Sequence, residues 1–267
     1  MDKLLQKCQK IYSKYTVFFI TAVFLLWIKT YIVQLTQFDL GIENSIQQFL
    51  LILNPLGSAI VFLGLAWLFK GKRKYIWLII IDFLLSFLLY ANVLYYRFFN
   101  DFITLPTILQ TQNFGDVSSS VTSLLRPYDV LFFIDILILI GMLAFKFVKI
   151  DVTSIKRRSV VAVLLLGIGI SGVNLALAEM DRPQLLTRGF DRNYIVKYLG
   201  MYNYTIYDAM QTTKAFTQRA IADSDDMAEV INHTKSNYAE PDPKYFGVGK
   251  GMNVILLHLE SIQEFLI

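Results

Sequence analysis

The sequence predicts an all-α membrane protein: five transmembrane helices, juxtamembrane and interfacial helices after them, and then the first strand of a truncated α/β domain. Three observations predict it. The 267 residues are 55% hydrophobic and only 17% charged, against about 45–50% apolar and about 25% charged in an average soluble domain. The excess is gathered into five runs, each about as long as a helix needs to cross roughly 30 Å of hydrocarbon. Lysine and arginine alternate between the loops that join those runs.

The predicted spans are Tyr15–Leu35, Phe49–Phe69, Tyr75–Leu94, Val130–Phe147 and Val160–Leu177. The last two are short and should run with little tilt. The first follows a basic stretch, as a signal peptide does, but no small-residue cleavage site follows its apolar run, so it reads as a retained helix. Lys3, Lys7, Lys10 and Lys14 precede the first span; Lys70, Lys72, Arg73 and Lys74 fill the second loop; Lys149, Lys156, Arg157 and Arg158 fill the fourth. The first loop, near Gln37–Ser45, has no Lys or Arg, and the third, Tyr95–Pro127, has only Arg97 and Arg126. A cell-membrane protein is therefore expected, multi-pass, with its N-terminus cytoplasmic and everything after about Leu177 outside. Its organisation reads as a membrane domain over 1–178, extracellular juxtamembrane helices and linker over 179–244, and the start of a further domain over 245–267. The net charge of +4 is modest, and nothing in its placement suits nucleic acid. Cys8 is the one cysteine, which excludes a disulfide framework, and His233 and His258 are too few for a histidine-rich metal cluster.

Ionisable side chains at membrane depth are costly and mark function or pairing. Lys29, Asp82 and Asp135 stand out. Lys29 lies about 21 Å along its helix from Tyr15, and Asp135 about 8 Å below Val130, so both sit in the outer half and can pair. Asp82 lies about 10 Å above Tyr75, which puts it too far from Asp135 for a direct carboxylate pair. Helix–helix hydrogen bonding and snorkelling are favoured over transport, because no chain of acids crosses the membrane. Asn54-Pro55 breaks the second span near its outer end.

The third loop is too long for a mere connector. It opens with Tyr95, Tyr96, Phe98, Phe99 and Phe102, and reads either as an interfacial helix shaping a lipid-facing site, with Arg97 as its lipid-side candidate, or as an aromatic belt with a linker. After the fifth span, Tyr198, Tyr202 and Tyr204 suggest contact with a membrane interface. Tyr207 to Ala222 reads as a polar helix, and Asp223–Asp226 begins an acidic connector. Within it, Ala220-Ile221-Ala222 resembles an A-x-A signal-peptidase site. Asn253–Leu259 reads as a buried strand, and Ser261-Ile262-Gln263-Glu264 matches a capping box, so a helix should start at Ser261. Glu260 then stands between strand and helix, where α/β sheets place ligands. A divalent cation and plain solvation are both open for it, and spacing alone favours solvation. One strand makes no sheet, so the chain is expected to stop inside a domain.

Several stretches together resemble the N-terminal part of the lipoteichoic acid synthase family of Gram-positive bacteria. They are Tyr95-Tyr96-Arg97-Phe98 through Leu105-Pro106-Thr107, Asn113-Phe114-Gly115-Asp116, Arg126-Pro127-Tyr128-Asp129, Arg182-Pro183-Gln184-Leu185-Leu186, Phe190-Asp191-Arg192, Lys197-Tyr198-Leu199-Gly200, Tyr238-Ala239-Glu240-Pro241, Tyr245-Phe246-Gly247 and His258-Leu259-Glu260-Ser261. The resemblance implies that the truncated α/β domain is sulfatase-like and extracellular. It implies a transferase of cell-wall lipoteichoic acid biosynthesis that moves glycerol phosphate from phosphatidylglycerol onto a glycolipid anchor through a threonine nucleophile beside a manganese (or magnesium) ion. It also implies that Glu260 is a metal ligand and that signal peptidase cuts at Ala220 and Ala222. The threonine and the later ligands are expected beyond Ile267, so this chain alone is expected to be inactive and to hold no metal tightly. Expected partners are phosphatidylglycerol, the glycolipid, signal peptidase and cell-envelope or division proteins. The alternatives are a lipoteichoic acid primase, a phosphoethanolamine-type transferase, or a non-catalytic module that binds lipid or partner proteins.

Overall fold

A computed structural model describes residues 14–109, 124–148, 150–187, 191–221, 224–238 and 242–253. Among them there is no strand. The helices are α1 (Lys14–Thr36), α2 (Ser45–Gly64, prolonged by a 3-10 turn over Leu65–Leu68), α3 (Arg73–Phe99), α4 (Leu105–Leu109), α5 (Ile134–Ala144), α6 (Arg157–Asp181), α7 (Arg192–Leu199), α8 (Met201–Ile221) and α9 (Ser224–Ser236). Five segments are long and apolar enough to cross a membrane: Tyr15–Thr36, Ser45–Leu68, Arg73–Phe99, Pro127–Ala144 and Arg157–Asp181. Number and order match the sequence reading, and the protein is a multi-pass membrane protein. The predicted strand lies, apart from Asn253, outside the described residues, as does the capping box at Ser261.

The fourth span departs from a plain helix. Pro127–Phe133 forms a 3-10 helix that leads into α5. Pro127 suits this start, since its missing N–H is one the first turn leaves unbonded. A 3-10 turn rises about 2 Å per residue against 1.5 Å in an α-helix, so these 18 residues reach about 30 Å, enough to cross.

The chain divides into two compact units, Met1–Ala215 and Phe216–Ile267. In the first, α2 is the packing hub. Gly57 lies so near α6 that a Cβ would stand 2.6 Å from Ser171 Oγ; one on Gly167 would stand 2.7 Å from Val61 Cγ2. Small residues let helix backbones approach inside a bilayer, where hydrophobic exclusion offers no drive. The break expected at Asn54-Pro55 does not occur: α2 runs on from Ser45 to Gly64 with Pro55 inside it, and one turn before the proline the Ile52 carbonyl accepts from Trp27 Nε1 at 2.8 Å. Such neighbouring donors let proline stand in a membrane helix. Asn44 caps α2, its Oδ1 accepting from Gln47 N at 2.8 Å.

The tyrosine-rich stretch is not at a lipid interface. Tyr198, Tyr202 and Tyr204 are buried in the protein, each 2% exposed or less. Each of the first two phenols finds a partner: Tyr198 Oη donates to Asp181 Oδ2 at 2.7 Å, and Tyr202 Oη to the Leu85 carbonyl at 3.3 Å. A buried phenol so satisfied contributes its ring to the core instead of seeking headgroups. Gly200 makes this route feasible. Its φ of +78° ends α7, and α8 restarts at Met201.

In the second unit, α9 replaces the connector expected after Asp223. His233 and Lys235 in its last turn suit the negative end of the helix dipole.

Candidate functional site

Within the first unit, α1, α3 and α5 assemble a polar cluster at membrane depth. Lys29 Nζ on α1 is ion-paired with Asp135 Oδ2 on α5. It also donates to Ser86 Oγ on α3 and, at 3.0 Å, to the Phe132 carbonyl. Ser86 Oγ in turn lies 3.5 Å from Asp135 Oδ2. Asp82 stands one turn before Ser86 on the same face of α3 and is fully buried. Neither of its oxygens has a hydrogen-bond donor among the described residues. It nevertheless lies within electrostatic reach of both Asp135 and Lys29. This corrects the depth estimate that separated the two carboxyls. The segment begins at Pro127 and descends as a 3-10 helix, so Asp135 lies about 16 Å along it, not about 8 Å below its start. Thr30 Oγ1 and Tyr202 Oη, hydrogen-bonded at 3.3 Å, tie α8 to α1 beside this cluster.

From the cluster a groove of about 370 Å³ runs outward between α1 and the fourth span. Lys29 and Asp135 form its floor, Leu25, Ile28, Ile32 and Leu131 its walls, and Gln37 and Tyr128 its outer end. Behind that end Arg97 grips Asp129 with both arms, Nη1–Oδ2 at 2.9 Å and Nη2–Oδ1 at 2.8 Å. The same guanidinium donates to the Leu124 carbonyl at 3.1 Å and to Gln37 Oε1 at 3.0 Å. Asp129 also accepts from Tyr90 Oη at 3.2 Å and from Arg126 N at 2.9 Å. Arg97 therefore belongs to the last turn of α3 and faces inward, fixing the start of the fourth span. The cation turned outward is Arg126, which is exposed and donates to Tyr128 Oη. An apolar slot with a buried polar floor, next to an exposed cation that bonds one of its lining tyrosines, has the chemistry for an acyl chain below a charged headgroup.

The other predicted site residues fare unequally. Ala220 falls in the last turn of α8, while Ala222 and Glu260 lie outside the described residues. Among the described residues no three His, Cys, Asp or Glu side chains gather where a metal could bind. Sequence reasoning missed Ser86, and named Asp129, Arg126 and Tyr202 without the contacts they make here. Ser86 was open to discovery, since it follows Asp82 by four positions. Asp129 was visible inside the Arg126-Pro127-Tyr128-Asp129 stretch, though its pairing with Arg97 was not.

The sequence profile described as "Lipoteichoic acid synthase N-terminal domain" matches residues 1–221. The chain is 51% identical over 259 residues to lipoteichoic acid synthase 1 of Bacillus subtilis (strain 168), covering 97% of this chain and 40% of the relative. It is 54% identical over 251 residues to lipoteichoic acid synthase 2 of the same organism, covering 94% and 38%. It is 42% identical over 250 residues to the lipoteichoic acid synthase of Staphylococcus aureus (strain USA300), covering 94% and 39%. The chain thus spans about 40% of the length of these curated relatives. No solved structure gives a significant match.

Proposed function

The chain belongs to the lipoteichoic acid synthase N-terminal domain family, and from that premise we propose that it is the lipid-holding membrane part of a phosphoglycerol transferase. The complete enzyme takes glycerol phosphate from phosphatidylglycerol and polymerises it on a glycolipid anchor. The observation that carries this reading is the groove between α1 and the fourth span. It would take an acyl chain against Ile28 and Leu131, and the exposed Arg126, hydrogen-bonded to the Tyr128 that lines its end, would meet a headgroup phosphate. Held there, the lipid stays at high effective concentration for a catalytic domain outside the membrane.

The N-terminus is cytoplasmic and the segment after α6 is outside. Two features support this orientation. The second loop carries Lys70, Lys72, Arg73 and Lys74 and the fourth Lys156, Arg157 and Arg158, whereas the first loop has no Lys or Arg and the third only Arg97 and Arg126. The second and fourth loops also touch: Lys74 Nζ donates to the Thr153 carbonyl at 2.9 Å, and Asp151 N to Tyr75 Oη at 3.0 Å. In the complete protein Glu260 ligates manganese or magnesium, and signal peptidase cuts after the Ala220-Ile221-Ala222 stretch.

The test is transfer from labelled phosphatidylglycerol by the full-length protein. Polymer on a glycolipid acceptor is expected, where single addition would indicate a primase. Ile28→Trp and Leu131→Trp, which fill the groove, should lower polymer formation from lipid but spare hydrolysis of a soluble glycerol-phosphate ester. Unchanged polymer synthesis with the groove filled would overturn the lipid-holding role.

A further inference from the structure

Beyond the fifth span, and apart from the groove, the first unit contains a polar depression of about 520 Å³. Its long wall is one face of α8: Tyr204, Tyr207, Asp208, Gln211 and Lys214 recur at helical spacing. Arg192 at the start of α7 closes the opposite side. This volume suits a small ligand and is lined by polar groups rather than by the apolar walls of the groove.

The polar groups are held in place yet not used up. Tyr207 Oη donates to the Leu186 carbonyl at 2.7 Å and accepts from Gln211 Nε2 at 3.0 Å, which fixes the amide and leaves its carbonyl oxygen without a donor among the described residues. Asp208 Oδ2 accepts from Leu105 N at 2.6 Å, so the carboxylate is anchored through one oxygen. Arg192 spends Nη1 on Asp101. Lys214 has neither an ion pair nor a hydrogen bond among the described residues, and it is exposed. Tyr204 is only 1% exposed, and its hydroxyl has no partner among the described residues. A buried hydroxyl left without a partner is destabilising, so a site that keeps one is open to a ligand that satisfies it.

We propose that this depression binds a hydroxylated phosphate ester of the glycerol-phosphate type. Lys214 supplies the free positive charge for the phosphate, and Arg192 reinforces it from across the site. The free oxygens of Asp208 and Gln211 accept from the ligand's hydroxyl groups, and Tyr204 Oη exchanges a hydrogen bond with one of them. Bare phosphate would leave those acceptors without donors, and a neutral polyol would leave Lys214 without a counter-charge. The proposal rests on reading this face as the outer side of a phosphoglycerol transferase. The ligand has two sources in that setting: the headgroup of phosphatidylglycerol in the adjacent leaflet, and a glycerol-phosphate unit of the polymer.

The experiment is calorimetric titration of sn-glycerol 1-phosphate into the 267-residue chain in phosphatidylcholine nanodiscs. Saturable binding is expected, with glycerol and inorganic phosphate each weaker by about tenfold or more. Lys214→Gln should weaken the ester about tenfold, and Lys214→Arg should restore it. Tyr204→Phe should weaken the ester but not inorganic phosphate. Competition by phosphatidylglycerol in the nanodisc assigns the site to the headgroup, and competition by soluble glycerol-phosphate oligomers assigns it to the polymer. Absence of saturable binding, equal binding of bare phosphate, or indifference to Lys214→Gln overturns the proposal. Because no turnover is measured, loss of polymerase activity in the complete protein with binding intact would count against the proposed function and not against this site.

Discussion

Lys29 and Asp135 are joined by a buried ion pair although 106 residues separate them in the chain. Removing one partner leaves the other charged and enclosed, which costs about 3–5 kcal/mol, whereas replacing both by apolar residues of similar size is often neutral. Lys29→Met alone is therefore expected to lower the thermal stability of the detergent-purified chain sharply, and Lys29→Met with Asp135→Leu to recover most of it. Ser86 and Asp82 keep the recovery incomplete, since both face the same space. Additive losses in the double variant would mean that the pair does not couple α1 to α5.

Gly200 stands against Asn54, the residue before Pro55 in α2. A Cβ there would lie 2.7 Å from Asn54 Cγ, and the residue's φ of +78° with ψ of 159° is a conformation that glycine adopts freely and L side chains do not. Gly200→Ala is expected to cost on the order of 1–3 kcal/mol in backbone strain alone. Because the turn at Gly200 directs Tyr202 toward Thr30 and Leu85, the variant should also loosen α8. Faster hydrogen exchange over 201–210, with α2 and α6 unchanged, would show it; exchange unchanged throughout would mean that the turn tolerates a side chain.

Span number, span order and the pairing of Lys29 with Asp135 were legible because they rest on apolar run length, loop charge and depth. Each is a property of one helix at a time. What the sequence hid depends on local helix type and on where a second helix arrives. Nothing in Pro127–Phe133 distinguishes a 3-10 start from an α-helical one, yet that choice carries Asp135 toward Asp82. Tyr202 reads as an interfacial aromatic because amphipathic side chains suit both a headgroup layer and a buried hydrogen bond. Only the placement of the Leu85 carbonyl decides between them. Arg97 reads as a loop cation for the same reason: its partner, Asp129, lies 32 residues on, across a stretch without periodic signal.

Tyr198 gives a pH-dependent prediction. Burial pushes its phenol up to about 12, and the hydrogen bond it donates to Asp181 adds to that. The folded state thus holds this proton more tightly than the unfolded chain, whose tyrosine titrates near 10. The resulting stability is fully present below about pH 10 and is lost as pH rises toward about 12. Helicity melts of the wild type and Tyr198→Phe should therefore run parallel from pH 7 to about 10. Above that the wild type should lose stability faster, because the variant lacks this proton. Parallel behaviour across the whole range would show that the Tyr198–Asp181 contact does not form.

The last expectation concerns Glu260, whose place after an apolar run and before a capping-box serine, together with the family pattern at His258-Leu259-Glu260-Ser261, makes it the proposed first ligand for manganese. Hard divalent cations take about six oxygen ligands, so a single carboxylate holds one weakly. In the complete protein Glu260→Ala should abolish manganese-dependent glycerol-phosphate transfer, because a bound cation offsets charge on the transferring phosphoryl group and helps activate the nucleophile. Membrane insertion should be untouched, since the spans lie far upstream in the chain. In the 267-residue chain, manganese titration followed by electron paramagnetic resonance should reveal no tight site. Retained transfer in the Glu260→Ala enzyme would refute the ligand assignment. Tight manganese binding by the 267-residue chain would mean that the metal site is built from residues within this sequence.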